Sequence, residues 1–303
     1  MRFTLAAVAI GALLFASWSY RTSIADILTH TNLWLLGLST LLALLANYLT
    51  GLPFNTFLKQ HGMDVPIWKT CYLQLVVQVT KYIPGNIWGA IIQAQLLGSS
   101  RIGTMFLAGI DTSIFYMMTL SATGLALLIY GHRPVVAGLI AVIGWLIAAR
   151  VATSAWLARF IDWIARRLGK SPQTSPDKST PGEIRRLFTW AMLHAFVQAS
   201  SVIILLMAVT NYSVADILIG TASLCLAWVI GTMAIIVPSG LGVRELAFVA
   251  FATMLNISAD AQSLAAIAIV VRVAQTLPDI FAAVIVAGTE IIRPARASRK
   301  YIH

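Results

Sequence analysis

Charge is scarce in this chain. Asp, Glu, Lys and Arg make up only 11% of its 303 residues while 59% are hydrophobic, and the mean hydropathy is +0.84. A sequence so poor in charge does not fold in water as a globular domain; it reads as an all-α, polytopic membrane protein. Cysteine is almost missing as well. Cys71 and Cys225 both lie inside apolar segments, which argues against a disulfide or a metal site and leaves them as buried small residues. Metal-ligand spacing is lacking: His30, His61, His132, His194 and His303 are scattered, and only His194 falls within a span. There is no paired-acid loop of the kind that holds a metal at a lipid-sugar transferase site, and no nucleotide-binding motif. These gaps argue against an enzyme, a resident metal or cofactor, and ATP hydrolysis by the chain.

What is present is a succession of apolar runs. Six are long enough to cross a bilayer, at about 3–20, 32–52, 102–130, 134–157, 186–210 and 260–291. The first has features of a signal peptide, but a polytopic chain needs no cleavage to enter the membrane, so it reads as a retained span. Two further regions, 66–98 and 214–256, are apolar but interrupted. The longest polar stretch, about 158–185, contains KSPQTSPDKSTPG and reads as a flexible linker. The expected architecture is one membrane domain over 1–303, with halves of about 1–157 and 186–303.

The basic excess, 21 Lys and Arg against 11 Asp and Glu, follows topology rather than nucleic acid. Placing both termini and the 158–185 linker in the cytoplasm puts there Arg2, Lys59, Lys69, Arg101, the basic residues of 159–186, and Arg293, Arg296, Arg299 and Lys300. Only Arg21 and Arg133 fall outside, as the positive-inside rule requires. Lys81, Arg150, Arg244 and Arg272 remain within apolar segments, and Arg150 is near enough to a cytoplasmic end to snorkel.

With that topology, region 66–98 starts and ends inside, whereas 214–256 starts and ends outside. The two are expected to be re-entrant helical hairpins in an inverted repeat. Each carries a Pro/Gly break, YIPGNIWG at 82–89 and IVPSGLG at 236–242, and each break's proline, Pro84 or Pro238, follows a cysteine by 13 residues. Paired interruptions in corresponding positions point to a transporter's substrate site, because broken backbone at membrane depth must face protein or a wet cavity. The second half-helices start near Asn86 and Gly242, where unpaired amides and a positive dipole end suit a phosphate or carboxylate; Lys81 and Arg244 stand beside them.

Polar stripes lead to the breaks. Gln74, Gln78 and Lys81 share a helical face, as do Asn86 and Gln93, and Arg272, Gln275 and Asp279 in the last span, with Pro278 able to loosen the helix. His194, Gln198 and Ser201 form another stripe, readable as a site or as interhelical hydrogen-bonding glue. Deep charges usually mark a pathway or a paired site. Asp111 is expected to pair with Lys81, Arg244 or Arg272, and Asp111, Glu245 or Asp279 is a candidate for proton coupling. Glu245 does not share a helical face with Arg244, so separate partners are expected for the two.

The two breaks, KYIPGNIWGAIIQ and VPSGLGVRE, within this span pattern resemble the lysylphosphatidylglycerol synthase transmembrane-region family. The resemblance implies lipid translocation: a flippase for aminoacyl-phospholipids or polyprenyl-phosphate-linked sugars across the cytoplasmic membrane. It points to Pro84, Gly85, Pro238, Gly240, Gly242, Arg244 and Glu245 as substrate-binding positions, to which the residue reading adds Lys81, Asn86, Arg272 and Asp279. Fused members carry a soluble aminoacyl-transferase domain that this sequence lacks, so a separate glycosyltransferase or lipid-modifying enzyme is the expected partner. The alternative is a proton- or ion-coupled small-solute carrier on the same plan.

Overall fold

The computed structural model describes residues 18–81, 88–99, 101–130, 133–152, 167, 180–234 and 240–292. Within these stretches lie α1 (Arg21–His30), α2 (Leu33–Leu49), α3 (Gly51–Gln60), α4 (Ile67–Thr80), α5 (Trp88–Leu96), α6 (Ile102–Tyr130), α7 (Pro134–Ala152), α8 (Pro181–Val209), α9 (Val214–Met233), α10 (Val243–Met254), α11 (Ala261–Ala274) and α12 (Leu277–Ile292). The described residues contain no strand.

Six helical stretches are long and apolar enough to cross a membrane: Leu33–Gln60, α6, α7, α8, α9 and Ala261–Gly288. The chain is a multi-pass membrane protein. Five of these match spans expected from sequence; the expected span at 3–20 lies almost wholly outside the described residues, as does most of the linker. Two differences emerge. The stretch after Arg21, between two expected spans, forms α1, whose Ile24 and Ile27 pack on the core. Val214–Met233, expected as half of an interrupted hairpin, alone has the length and hydropathy of a full crossing.

Helix starts coincide with polar caps. Asn32 accepts from the amides of Trp34 and Leu35, Ser213 from Asp216, and Asp260 from Ser263. Thr180, Pro181 and Glu183 form a full capping box at the start of α8. Between α2 and α3 the chain needs a glycine, because Gly51 lies on the Cys71 backbone and a Cβ would collide with it.

Side chains sort for lipid as solvent. Trp34 is 91% exposed, Val135 76% and Phe196 73%, so large apolar groups face outward. Inside, one cluster gathers Phe54, Phe57, Leu73, Phe115 and Leu187 from α3, α4, α6 and α8. A second gathers Leu205, Leu206, Phe248, Leu264 and Val271 from α8, α10 and α11. Helices from the two halves interleave: α2 packs on α8, α4 on α12, and α9 on α6. Ser39 and Ser201 fix the first of these by donating to each other's carbonyl, both at 2.9 Å.

Candidate functional site

Each interrupted region folds back on itself. Gln93 of α5 donates through Nε2 to the Leu73 carbonyl of α4 at 3.0 Å, and Gly89 lies against Thr80 and Val77. α5 therefore returns along α4, and Lys81, the C-cap of α4, stands at the turn. The second fold-back is tighter. Gly240, at φ +63°, presses on Gly231, so that a Cβ there would come within 2.7 Å of the Gly231 carbonyl oxygen. Gly242, at φ +80°, is the N-cap of α10. Both positions demand a residue without a Cβ. Gly231 has its own reason: the Arg244 side chain runs where a Cβ at 231 would be. The GLGVRE stretch is thus a turn whose glycines seat Arg244 against α9.

Around these turns the deep charges meet. Lys81 Nζ donates to Gln78 Oε1 at 3.0 Å and reaches both Asp279 oxygens, Oδ1 at 2.9 Å and Oδ2 at 2.8 Å. The Asp279 side chain is only 6% exposed and sits in the first turn of α12, where the helix dipole favours an anion. The pair ties the first half of the chain to the second. Arg244 and Arg272 lie close enough for their charges to act on Lys81. Arg272 Nε stands 3.5 Å from Glu245 Oε1, with both side chains buried. The Glu245 carboxylate oxygens are buried and accept no hydrogen bond, so this is a charge contact alone. Three bases face two acids, which leaves one positive charge in excess when all are ionised.

The space among them is small. Trp228, Arg244, Glu245, Phe248, Arg272 and Gln275 line a cavity of about 10 Å³, one water molecule's worth. Trp228 Nε1 donates to Gln275 Oε1 at 3.3 Å across its wall. A lipid headgroup is far larger than this space.

Of the residues singled out in the sequence, Lys81, Arg244, Glu245, Arg272 and Asp279 come together, and Gly240 and Gly242 shape the turn beside them. Pro84, Gly85, Asn86 and Pro238 lie outside the described residues. Asp111 does not join. Lys81 and Arg272, two of its expected partners, meet Asp279 and Glu245, and Asp111 instead hydrogen-bonds His61, Nε2 to Oδ2 at 2.9 Å, at the far end of α3. Arg272 and Gln275 line one cavity, and Asp279, one turn on, meets Lys81. The helix breaks at 275–276 because Pro278 has no N–H to return to Ala274, and the break turns Arg272 to Glu245 and Asp279 to Lys81. Glu245 meets Arg272, the Arg244 side chain runs along Gly231, and both line the same cavity. Gln93 serves the α4–α5 fold-back rather than a cavity. His194 packs on Tyr116, ring centroids 4.2 Å apart, and Ser201 is interhelical glue. Sequence reasoning missed His61 as the hydrogen-bond partner of Asp111 and Gly231 as the seat of Arg244; the latter's signal was a glycine one turn before the break.

Among the described residues no three His, Cys, Asp or Glu side chains are placed to share a metal ion. Comparison with curated proteins finds no match. The family described as the lysylphosphatidylglycerol synthase TM region matches residues 4–283, which takes in all five clustered charges and both breaks. The chain therefore belongs to the lysylphosphatidylglycerol synthase transmembrane-region family.

Proposed function

We propose that this protein is a lipid translocator that moves an anionic or phosphate-linked lipid, a polyprenyl-phosphate-sugar or an aminoacyl-phospholipid, across the cytoplasmic membrane by binding and conformational change, without a covalent step. Family membership places it among membrane proteins of lipid-related function. The observation that carries the finer reading is the convergence of Lys81, Arg244 and Arg272, from both halves, at the turns of the two fold-backs. A charge at the bilayer centre costs about 3 kcal/mol or more. Fixed donors that replace a headgroup's water lower that barrier, while its tail stays in lipid. Glu245, with two oxygens lacking donors, suits the ammonium or hydroxyls that these headgroups carry beside their phosphate.

The packing supports re-entrant hairpins in an inverted repeat. If α2 and α3 correspond to α8, α4 to α9, α5 to α10, and α6 to α11 with α12, then the contacts occur in reciprocal pairs. α4 on α12 answers α9 on α6, α5 on α6 answers α10 on α11, and α3 on α4 answers α8 on α9. In the structure Asp279 and Glu245 occupy the bases. An entering phosphate shares the bases with them, and rocking one half against the other alternates access. The basic helix ends at Lys59, Arg101 and Arg186 face the cytoplasm in this reading.

Leaflet exchange in proteoliposomes tests it, with labelled polyprenyl-phosphate-sugar and labelled aminoacyl-phospholipid compared for wild type and Arg244→Ala. Exchange of one lipid that the variant abolishes supports the proposal. Folded protein that exchanges neither lipid overturns it, and a parallel assay of small-solute uptake by the same vesicles would then identify a carrier.

A further inference from the structure

Away from the buried cluster, a second cavity of about 430 Å³ opens at the end of the molecule where α3 stops and α4 and α8 begin. Its volume falls within the range of small-molecule sites. Lys59, Arg186 and Trp190 line it, with Val65 and Pro66 as apolar wall. The walls are fixed in place. Buried Asn55 donates to the Val65 carbonyl at 2.6 Å, Arg101 Nη1 donates to the Gly62 carbonyl at 3.0 Å, and the Met63 amide donates to Leu58 at 2.8 Å. α4 starts at this cavity without a side-chain cap, adding the positive end of its dipole to the two bases.

One carboxylate opposes them. Asp64 Oδ1 is 3.2 Å from Lys59 Nζ, but the two side chains are 86% and 50% exposed. Such a surface pair contributes little, so a stronger anion displaces Asp64 into water. Ile67 and Trp68, 45% and 48% exposed, continue the rim as an apolar and aromatic surface of the kind found at headgroup level. From here α4, with 14 residues, rises about 21 Å to Lys81, a large part of a bilayer's hydrocarbon thickness.

We propose that this cavity is a binding site for the phosphate of an anionic lipid headgroup, held by Lys59 and Arg186 with the acyl chain against Ile67 and Trp68. Binding here requires no transport, so the site stands apart from the translocation reading. The test is photocrosslinking of the full chain in phosphatidylcholine nanodiscs with phosphatidylglycerol carrying a diazirine near its headgroup, followed by peptide mapping. Label is expected on residues 59–67 and 186–190, competed by phosphatidylglycerol but not by the same concentration of glycerol phosphate. The double variant Lys59→Gln/Arg186→Gln should weaken apparent affinity about thirty-fold, roughly five-fold per basic residue. Asp64→Asn should strengthen it, a change of sign that mere loss of folding cannot produce. Competition by glycerol phosphate as strong as by the lipid would make this a free-anion site. Label elsewhere, or labelling indifferent to all three substitutions, would overturn the proposal.

Discussion

Asp279 and Lys81 form the tightest charge contact in the buried cluster, and their removal is predicted to be unequal. Asp279→Asn deletes a side chain that is 6% exposed and raises the local excess from one positive charge to two, with Arg244 and Arg272 still acting on Lys81. Lys81→Gln deletes a side chain that is 30% exposed and brings the excess to zero, leaving Asp279 in the field of two arginines and at a helix start. Removing one partner of a buried pair costs about 3–5 kcal/mol. The partial exposure of Lys81 puts Asp279→Asn near the lower end, about 3 kcal/mol, and Lys81→Gln at roughly half that. The double variant restores an excess of one and should lie well short of the sum, with a coupling energy of at least about 1 kcal/mol. Reversible unfolding in mixed micelles, followed by tryptophan fluorescence, measures all four corners of the cycle. A Lys81→Gln cost equal to or above that of Asp279→Asn, or additive single variants, would refute the charge-balance reasoning.

Three further outcomes follow from individual contacts. Gly240→Ala should destabilise more than Gly242→Ala, because both have positive φ but only at 240 does a Cβ meet backbone, that of Gly231; about 1–3 kcal/mol of added strain is expected in the same unfolding assay. His61→Ala, which leaves the Asp111 carboxylate without its hydrogen bond at a site where the pair is 6% and 17% exposed, should cost about 1–3 kcal/mol, and the further change Asp111→Asn should recover part of it. The Asp260 carboxyl is held below its usual range by the Ser263 amide at the N-terminus of α11. A depressed pKa contributes stability that is full above the unfolded carboxylate range and is lost as pH falls through the folded value, so Asp260→Asn should flatten the acid limb of a stability-versus-pH curve.

Spans were legible because 20-residue apolar runs leave few alternatives to a lipid-facing helix, and α6 at 102–130 begins and ends where hydropathy places it. The breaks were legible for a related reason: Pro278 and the Gly240 and Gly242 turn interrupt hydrogen bonding in ways no apolar context repairs. Partnership was not. Composition places Asp111, Lys81, Arg244 and Arg272 in one medium but says nothing about which helices adjoin, and the Asp111 partner came from His61, a residue at a helix end. Interleaving of the halves, which brings α4 to α12, is a tertiary fact without a local signal.

If the cluster binds a lipid headgroup as proposed, its charge balance bears on which one. With one positive charge in excess, a phosphodiester of charge −1 that enters while Asp279 and Glu245 stay in the cluster brings the site to neutrality, whereas a pyrophosphate link leaves a net negative charge in a medium where about 3 kcal/mol or more attends each uncompensated charge. A sugar linked by one phosphate should therefore exchange faster than the same sugar and tail linked by two. Glu245→Gln is the sharper probe, since its oxygens accept no hydrogen bond and its contact to Arg272 spans 3.5 Å, so the change costs less folding energy than loss of Asp279. It raises the excess to two and should shift preference toward the pyrophosphate lipid in leaflet-exchange rates taken per folded protein. A preference for two phosphates in the wild type, or one that Glu245→Gln leaves unmoved, would mean that headgroup charge is matched somewhere other than at Lys81, Arg244 and Arg272.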